Sequence, residues 1–164
     1  MSDKEEIRNL VEKYADAVNR VDKEDWSSTW CEDSEWDLSS MPAVKGKDAI
    51  VELWVNAMAG FPYVAQLIQN GTTEVDGDTA TGRWYIVEHI QTTEKDADDN
   101  PVGFFNIGVY QDKYIKENGE WLFKLRKYAV LYNDNGTGNM TGTCLLYTSP
   151  SPRDLSTSRM PSSA

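Results

Sequence analysis

Two hydrophobic periods divide the chain. Ile7, Leu10, Val11, Tyr14, Val18 and Val21 recur at helical spacing and predict an amphipathic helix over residues 4–20, opened by the capping-box pair Ser2 and Glu5. Asp22 starts a second short helix over 23–32, with Trp26 and Trp30 one turn apart on one face. Ser34 to Leu38 alternates like a short strand, and Pro42 breaks the segment after it. Ile50, Leu53, Trp54, Ala57 and Met58 mark a third helix over 46–59, stopped by Gly60-Phe61-Pro62. From Tyr63 onward the period falls from about 3.6 residues to about 2. Tyr63–Glu74, Thr79–Gln91, Val102–Lys116 and Glu120–Tyr132 predict four long strands, with hairpin turns at Asp76-Gly77 and Asn118-Gly119 and a solvated acidic loop from Thr93 to Asn100. Helices followed by an antiparallel meander predict an α+β domain whose helices cover one face of a curled sheet. Within the meander, alternation puts Trp84 and Glu88 on one face and Arg83, Tyr85 and His89 on the other, as in the wall of a pocket.

Composition changes the picture at the C-terminus. The run from Cys144 to Asp154 matches one reading frame of a sequencing-library transposase adapter, so residues 144–164 are read as a non-native or disordered tail left by metagenomic assembly, and residues 1–143 as the domain. Removing two basic residues and one acidic one turns the stated charge of −11 into 14 − 26 = −12. So acidic a surface repels phosphate backbones and anionic lipid, which argues against nucleic-acid and membrane-surface partners. Cys31 is then the one remaining cysteine, with no disulfide framework and no metal-ligand spacing, and a cytoplasmic, reducing setting is expected. Met1 to Glu6 shows no apolar signal region, and no window approaches the ~18 apolar residues that a membrane span requires.

Several motifs carry a family resemblance. The helix-helix-strand-helix opening, Glu74-Val75-Asp76-Gly77-Asp78-Thr79-Ala80-Thr81, Gly82-Arg83-Trp84-Tyr85, and the series Tyr110, Asp112, Tyr114, Lys116, Asn118, Gly119, Trp121 together resemble the SnoaL-like branch of the nuclear transport factor 2-like superfamily. Gly82 to Tyr85 and Tyr110 to Trp121 are similar to the bile-acid 7α-dehydratases. Val21 to Lys23 and Trp30 to Trp36 are similar to lindane dehydrochlorinase. The resemblance implies a cone-like α+β barrel holding a small hydrophobic molecule, a homo-dimer or homo-trimer, and cofactor-free elimination in which a His takes a proton and a buried Asp orients it.

Asp22 stands at the family Asp position, but the family His-x-x-x-Asn pattern reads Gln66-Leu67-Ile68-Gln69-Asn70. A carboxamide does not titrate near neutral pH, so Gln66 can orient a ligand but cannot act as a general base. Ala17 and Val130 replace a phenol and an arginine of the dehydratase, whereas Arg126 matches a basic residue of the dehydrochlorinase that helps the leaving group. A carboxylate buried against indole rings has its pKa raised toward the working pH and can replace an imidazole.

The expected catalytic set is therefore Asp22, Glu88 and Arg126, with Gln66, Asn70, Trp26, Trp30, Trp84 and Tyr14 binding substrate. Each has a plainer reading. Asp22 could serve as a helix cap, Glu88 as a strand-end carboxylate in water, Arg126 as a surface residue beside Lys124 and Tyr128, and the tryptophans as core. Tyr110, Tyr114 and Trp121 read as cross-strand packing pairs, and His89 as an outer-face residue. Three functions follow: a lyase or isomerase working by proton abstraction, a hydrolase or polyketide cyclase of the same fold, or a non-catalytic binding or assembly domain.

Overall fold

Helix α1, Asp3–Arg20, opens with both halves of the capping box formed, Ser2 Oγ accepting from Glu5 N and Glu5 Oε2 accepting from Ser2 N. Its apolar stripe, Ile7, Leu10, Val11, Tyr14 and Val18, is buried. A computed structural model describes residues 1–135 and the backbone of 141–142; the expected tail beyond residue 143 lies outside the described residues. After α1 come α2 (Lys23–Ser28), β1 (Trp30–Asp37), β2 (Val44–Lys45), α3 (Lys47–Met58), β3 (Tyr63–Asp76), β4 (Thr79–Lys95), β5 (Pro101–Glu117), β6 (Glu120–Asp134) and β7 (Thr141–Gly142).

The sheet runs in the order β2-β1-β6-β5-β4-β3, with β7 also paired to β6. β3 to β6 form the antiparallel meander expected from the alternation, while β1 joins β6 in parallel because the helices carry the chain back before it pairs. The sheet is curved and unclosed, and its inner face packs on the helices as a mixed α+β cone. Lys116 fastens the start of α1 to the β5–β6 hairpin through Asp3 and Glu6, at 2.7 and 3.3 Å. Among the described residues no helix is long and apolar enough to cross a membrane.

Two departures from the expected elements matter. The second helix stops at Ser28, because Thr29 Oγ1 donates to the Trp26 carbonyl at 2.6 Å and the Thr29 carbonyl accepts from Phe123 N at 2.9 Å. Trp30 therefore opens β1 rather than continuing the helix, although its ring still lies 5.5 Å from that of Trp26. The other departure is a set of three bulges, one in β3 and two in β6. In β3, Ile68 pairs with Ile86 and Gly71 with Trp84, so Gln69 and Asn70 together oppose Tyr85. In β6, Leu125 pairs with Lys113 and Phe123 with Tyr114, so Lys124 is one extra residue, and Val130 pairs with Gly108 and Tyr132 with Ile107, so Leu131 is another. Each bulge resets which parity faces inward.

Candidate active site

The inner face of the sheet carries a polar rung in an otherwise apolar lining. Gln66 of β3 pairs with Glu88 of β4, Glu88 with Asn106 of β5, and Asn106 with Asn133 of β6. Gln66, Glu88 and Asn106 are buried. Gln66 Nε2 donates to Glu88 Oε1 at 2.7 Å and to Tyr110 Oη at 3.0 Å, while Tyr128 Oη donates to Glu88 Oε2 at 2.6 Å. Asn133 Nδ2 donates to Asn106 Oδ1 at 2.7 Å, which completes the rung. Gln66 is held from behind by Asn19 of α1, whose amide accepts from Gln66 N at 2.6 Å and donates to Gln66 O at 3.0 Å. One pair further along, toward the open ends of β4 and β5, Ile90 and Phe104 belong to a groove of about 880 Å³.

Beneath the rung lies a buried ion pair. Arg126, fully enclosed, meets Asp112 through Nε–Oδ1 at 3.0 Å and Nη2–Oδ2 at 3.1 Å. Its guanidinium carbon lies 4.2, 3.7 and 4.1 Å from the ring centroids of Tyr14, Tyr110 and Phe123. Tyr114 Oη donates to Asp112 Oδ2 at 2.8 Å and accepts from Trp84 Nε1 at 2.9 Å. Burial pushes the Asp112 carboxyl upward against the pull of Arg126; burial, the largest single effect on Arg126, pulls its pKa down, but Asp112 and the surrounding phenols together raise it, and the guanidinium stays charged. Bidentate contact and the third hydrogen bond from Tyr114 are the geometry of an ionised carboxylate, so the pair is ionic. Arg126 Nη1 is buried without a protein partner, as is Gln66 Oε1. The phenols of Tyr14, Tyr110 and Tyr128 are all pushed upward, chiefly by burial, and stay protonated at neutral pH.

This chemistry sits on a matching sequence. The family signature described as a SnoaL-like domain covers residues 1–127. The chain belongs to the SnoaL-like family. A curated relative, an uncharacterised protein of Mycobacterium tuberculosis, is 29% identical over 84 residues, or 51% of this chain, and the chain spans 57% of that relative's length. Among solved structures, a scytalone dehydratase-like protein of Novosphingobium aromaticivorans superposes with a TM-score of 0.72 at 17% identity, over 85% of this chain and 91% of the other. A type-3 hexachlorocyclohexane dehydrochlorinase of Novosphingobium barchaimii gives a TM-score of 0.72 at 19% identity, over 83% and 91%. At such identities the likeness bears on the fold, which is the cone-like SnoaL-like one.

Within this SnoaL-like domain the structure brings together Gln66, Glu88 and Tyr14 with Tyr110, and seats Arg126 directly beneath them. Five expected members stand apart. Asp22 is the N-cap of α2: Oδ1 accepts from Asp25 N at 2.9 Å, Oδ2 from Arg20 Nη1 at 2.6 Å, and these two bonds hold its pKa below the usual carboxylate range. That is the opposite of the raised base expected from the sequence, and it follows from Asp22 being partly exposed among hydrogen-bond donors rather than buried against the tryptophans. Asn70 is turned to solvent by the β3 bulge. Trp84 points inward but lies ~13 Å along the strand from Glu88 by strand rise, and its indole rests on Gly71, where a Cβ would come within 2.2 Å of the ring. Its hydrogen bond makes it a support for Tyr114, Asp112 and Arg126. Trp26 and Trp30 join Trp36 and Trp54 in the aromatic core under the helices, with Trp26 stacked on Trp54 at 4.7 Å.

Asn106, Tyr110, Asp112 and Tyr128 were not among the expected site residues. Asn106 and Tyr110 share the inward parity of β5 with Asp112, a signal present in the sequence, but partners across the sheet emerge only with the register. His89 is exposed on the outer face, between the rings of Tyr63 and Phe105. For Asp22, Asn at this position keeps the cap, so Asp22→Asn should leave the fold and any elimination activity close to wild type, and Asp22→Ala should lower the melting temperature more. Loss of turnover in Asp22→Asn with an unchanged melting curve would return Asp22 to the site.

Proposed function

We propose that the domain is a cofactor-free lyase acting on a small hydrophobic molecule, with Glu88 as the base in place of the family imidazole. One observation supports this above the others. Of the two carboxylates buried among the described residues, Asp112 is committed to Arg126, whereas Glu88 meets no cation and is held by two neutral donors. A carboxylate oriented by Gln66 and Tyr128 in an aromatic setting can take a proton from carbon next to an electron-withdrawing group. Arg126 supplies a fixed positive charge beneath the rung, whose field through the buried interior favours the oxygen on which negative charge develops. Gln66 and Tyr110 orient the substrate, and Tyr14 and the neighbouring rings form its apolar bed. Proton abstraction without loss of a leaving group would make the same site an isomerase.

A second reading, a non-catalytic binding domain, is favoured by Gln66 itself, since the position of the family base holds an amide. Wild-type protein offered 5-nitrobenzisoxazole, an apolar aromatic probe that opens when a base removes one carbon-bound proton, should show saturable ring opening with no added cofactor. Binding of the probe without ring opening would assign the domain to the second reading.

A further inference from the structure

Elimination of water needs an acid as well as a base, because hydroxide is a poor leaving group until it is protonated. Tyr128 is in position to be that acid. Its hydroxyl donates to Glu88 Oε2 at 2.6 Å, and it is partly exposed, unlike Gln66, Glu88, Tyr110 and Arg126 around it. The other Glu88 oxygen is occupied by Gln66, so the carboxylate is fixed with Tyr128 at one edge. Across the strand, Gly108 leaves room for this arrangement: a Cβ there would stand 2.2 Å from Tyr128 Cε2 and 2.7 Å from its Oη. Gly108 is not in the left-handed region, so what calls for glycine there is space for the phenol.

We propose that Tyr128 is the general acid of the site, dehydrating a β-hydroxy carbonyl compound through a proton relay with Glu88. The inference rests on Glu88 being the base. Glu88 takes the proton from the carbon next to the carbonyl, and the electrons of that C–H bond form the new C=C bond. The C–O bond breaks with its electron pair on oxygen, Tyr128 gives that oxygen its proton, and water leaves. The Tyr128 phenolate then recovers a proton from the Glu88 carboxylic acid across their hydrogen bond, so both groups return to their starting forms. With base and acid side by side on one inner face, proton and hydroxyl depart from the same side of the substrate.

Two probes separate the roles. In 4-hydroxy-4-(4-nitrophenyl)butan-2-one the leaving group is hydroxide, which needs an acid; in 5-nitrobenzisoxazole it is a stabilised phenoxide, which needs little help. Tyr128→Phe should lower kcat on the hydroxy ketone by about 10²–10⁴-fold and penalise the benzisoxazole far less. Gly108→Ala, which keeps the hydroxyl but displaces it, should show the same split. Glu88→Gln should impair both reactions. If Tyr128→Phe weakens both probes equally, Tyr128 only positions Glu88 and the acid role is overturned; if it weakens neither, the relay is overturned while the base reading stands. If Glu88→Gln spares both, or wild type converts neither, the base reading fails and the relay fails with it.

Discussion

Glu88→Gln should lower turnover of an elimination probe by about 10²–10⁴-fold, the usual contribution of a positioned general base, while the melting temperature stays nearly level. The separation of the two effects follows from the hydrogen bonds. A glutamine at 88 can keep its carbonyl toward Tyr128, which donates to Glu88 at 2.6 Å, and turn its amide toward Gln66 once the Gln66 carboxamide rotates to present Oε1, buried without a partner, in place of the Nε2 that donates to Glu88. The substitution thus removes a buried charge, exchanges the Gln66 Nε2 bond for one to Gln66 Oε1 and leaves the volume unchanged, so the folded state loses little. A variant that is equally stable and inactive would place the loss in the chemistry. Parallel loss of stability and activity would mean that Glu88 holds the sheet together and that its charge has no catalytic task.

How far the site could be read from the chain depends on which features are local. The change of period at Tyr63, the capping box at Ser2 and the turns Asp76-Gly77 and Asn118-Gly119 are decided by neighbours in sequence, and the elements they announce are present. Alternation along β4 likewise predicted Glu88 and Trp84 inside and His89 outside, because β4 runs without a bulge from Thr79 to Gln91. Parity failed where a bulge intervened. Asn70 was expected beside Gln66, and the extra residue in β3 turned it outward; Arg126 shared a predicted face with Lys124, and the bulge at Lys124 put it inward with Phe123. Trp30 looked helical because four-residue spacing from Trp26 suits a helix, while the hydroxyl of Thr29 and the distant Phe123 decided otherwise. Asn106 and Tyr128 could not be joined to Glu88 before the register was known, since pairing is a property of four strands together. Asp22 was ambiguous for a different reason: one residue type serves both caps and active sites, and only its neighbours Arg20 and Asp25 distinguish them.

The Arg126–Asp112 pair should give the largest stability effects in the domain. Arg126→Met strands a carboxylate, and Asp112→Leu strands a guanidinium, in a site where neither group is solvated and Tyr14, Tyr110 and Phe123 wall the cation in. Each single change should cost about 3–5 kcal/mol, the usual penalty for breaking a buried pair from one side, which for a domain of this size lowers the melting temperature by on the order of 10 °C. The double variant should recover most of that loss, because two apolar side chains replace two charges whose desolvation cost offsets much of their attraction. Recovery would not extend to function. The double variant lacks the fixed positive charge beneath the rung, so on the reading proposed here it should fold and still eliminate slowly. Thermal melts of the four proteins form a double-mutant cycle for stability, and probe turnover forms a second one. Strictly additive melting shifts would show that the two side chains do not depend on each other in the folded state, and full activity in a stable double variant would remove Arg126 from the mechanism.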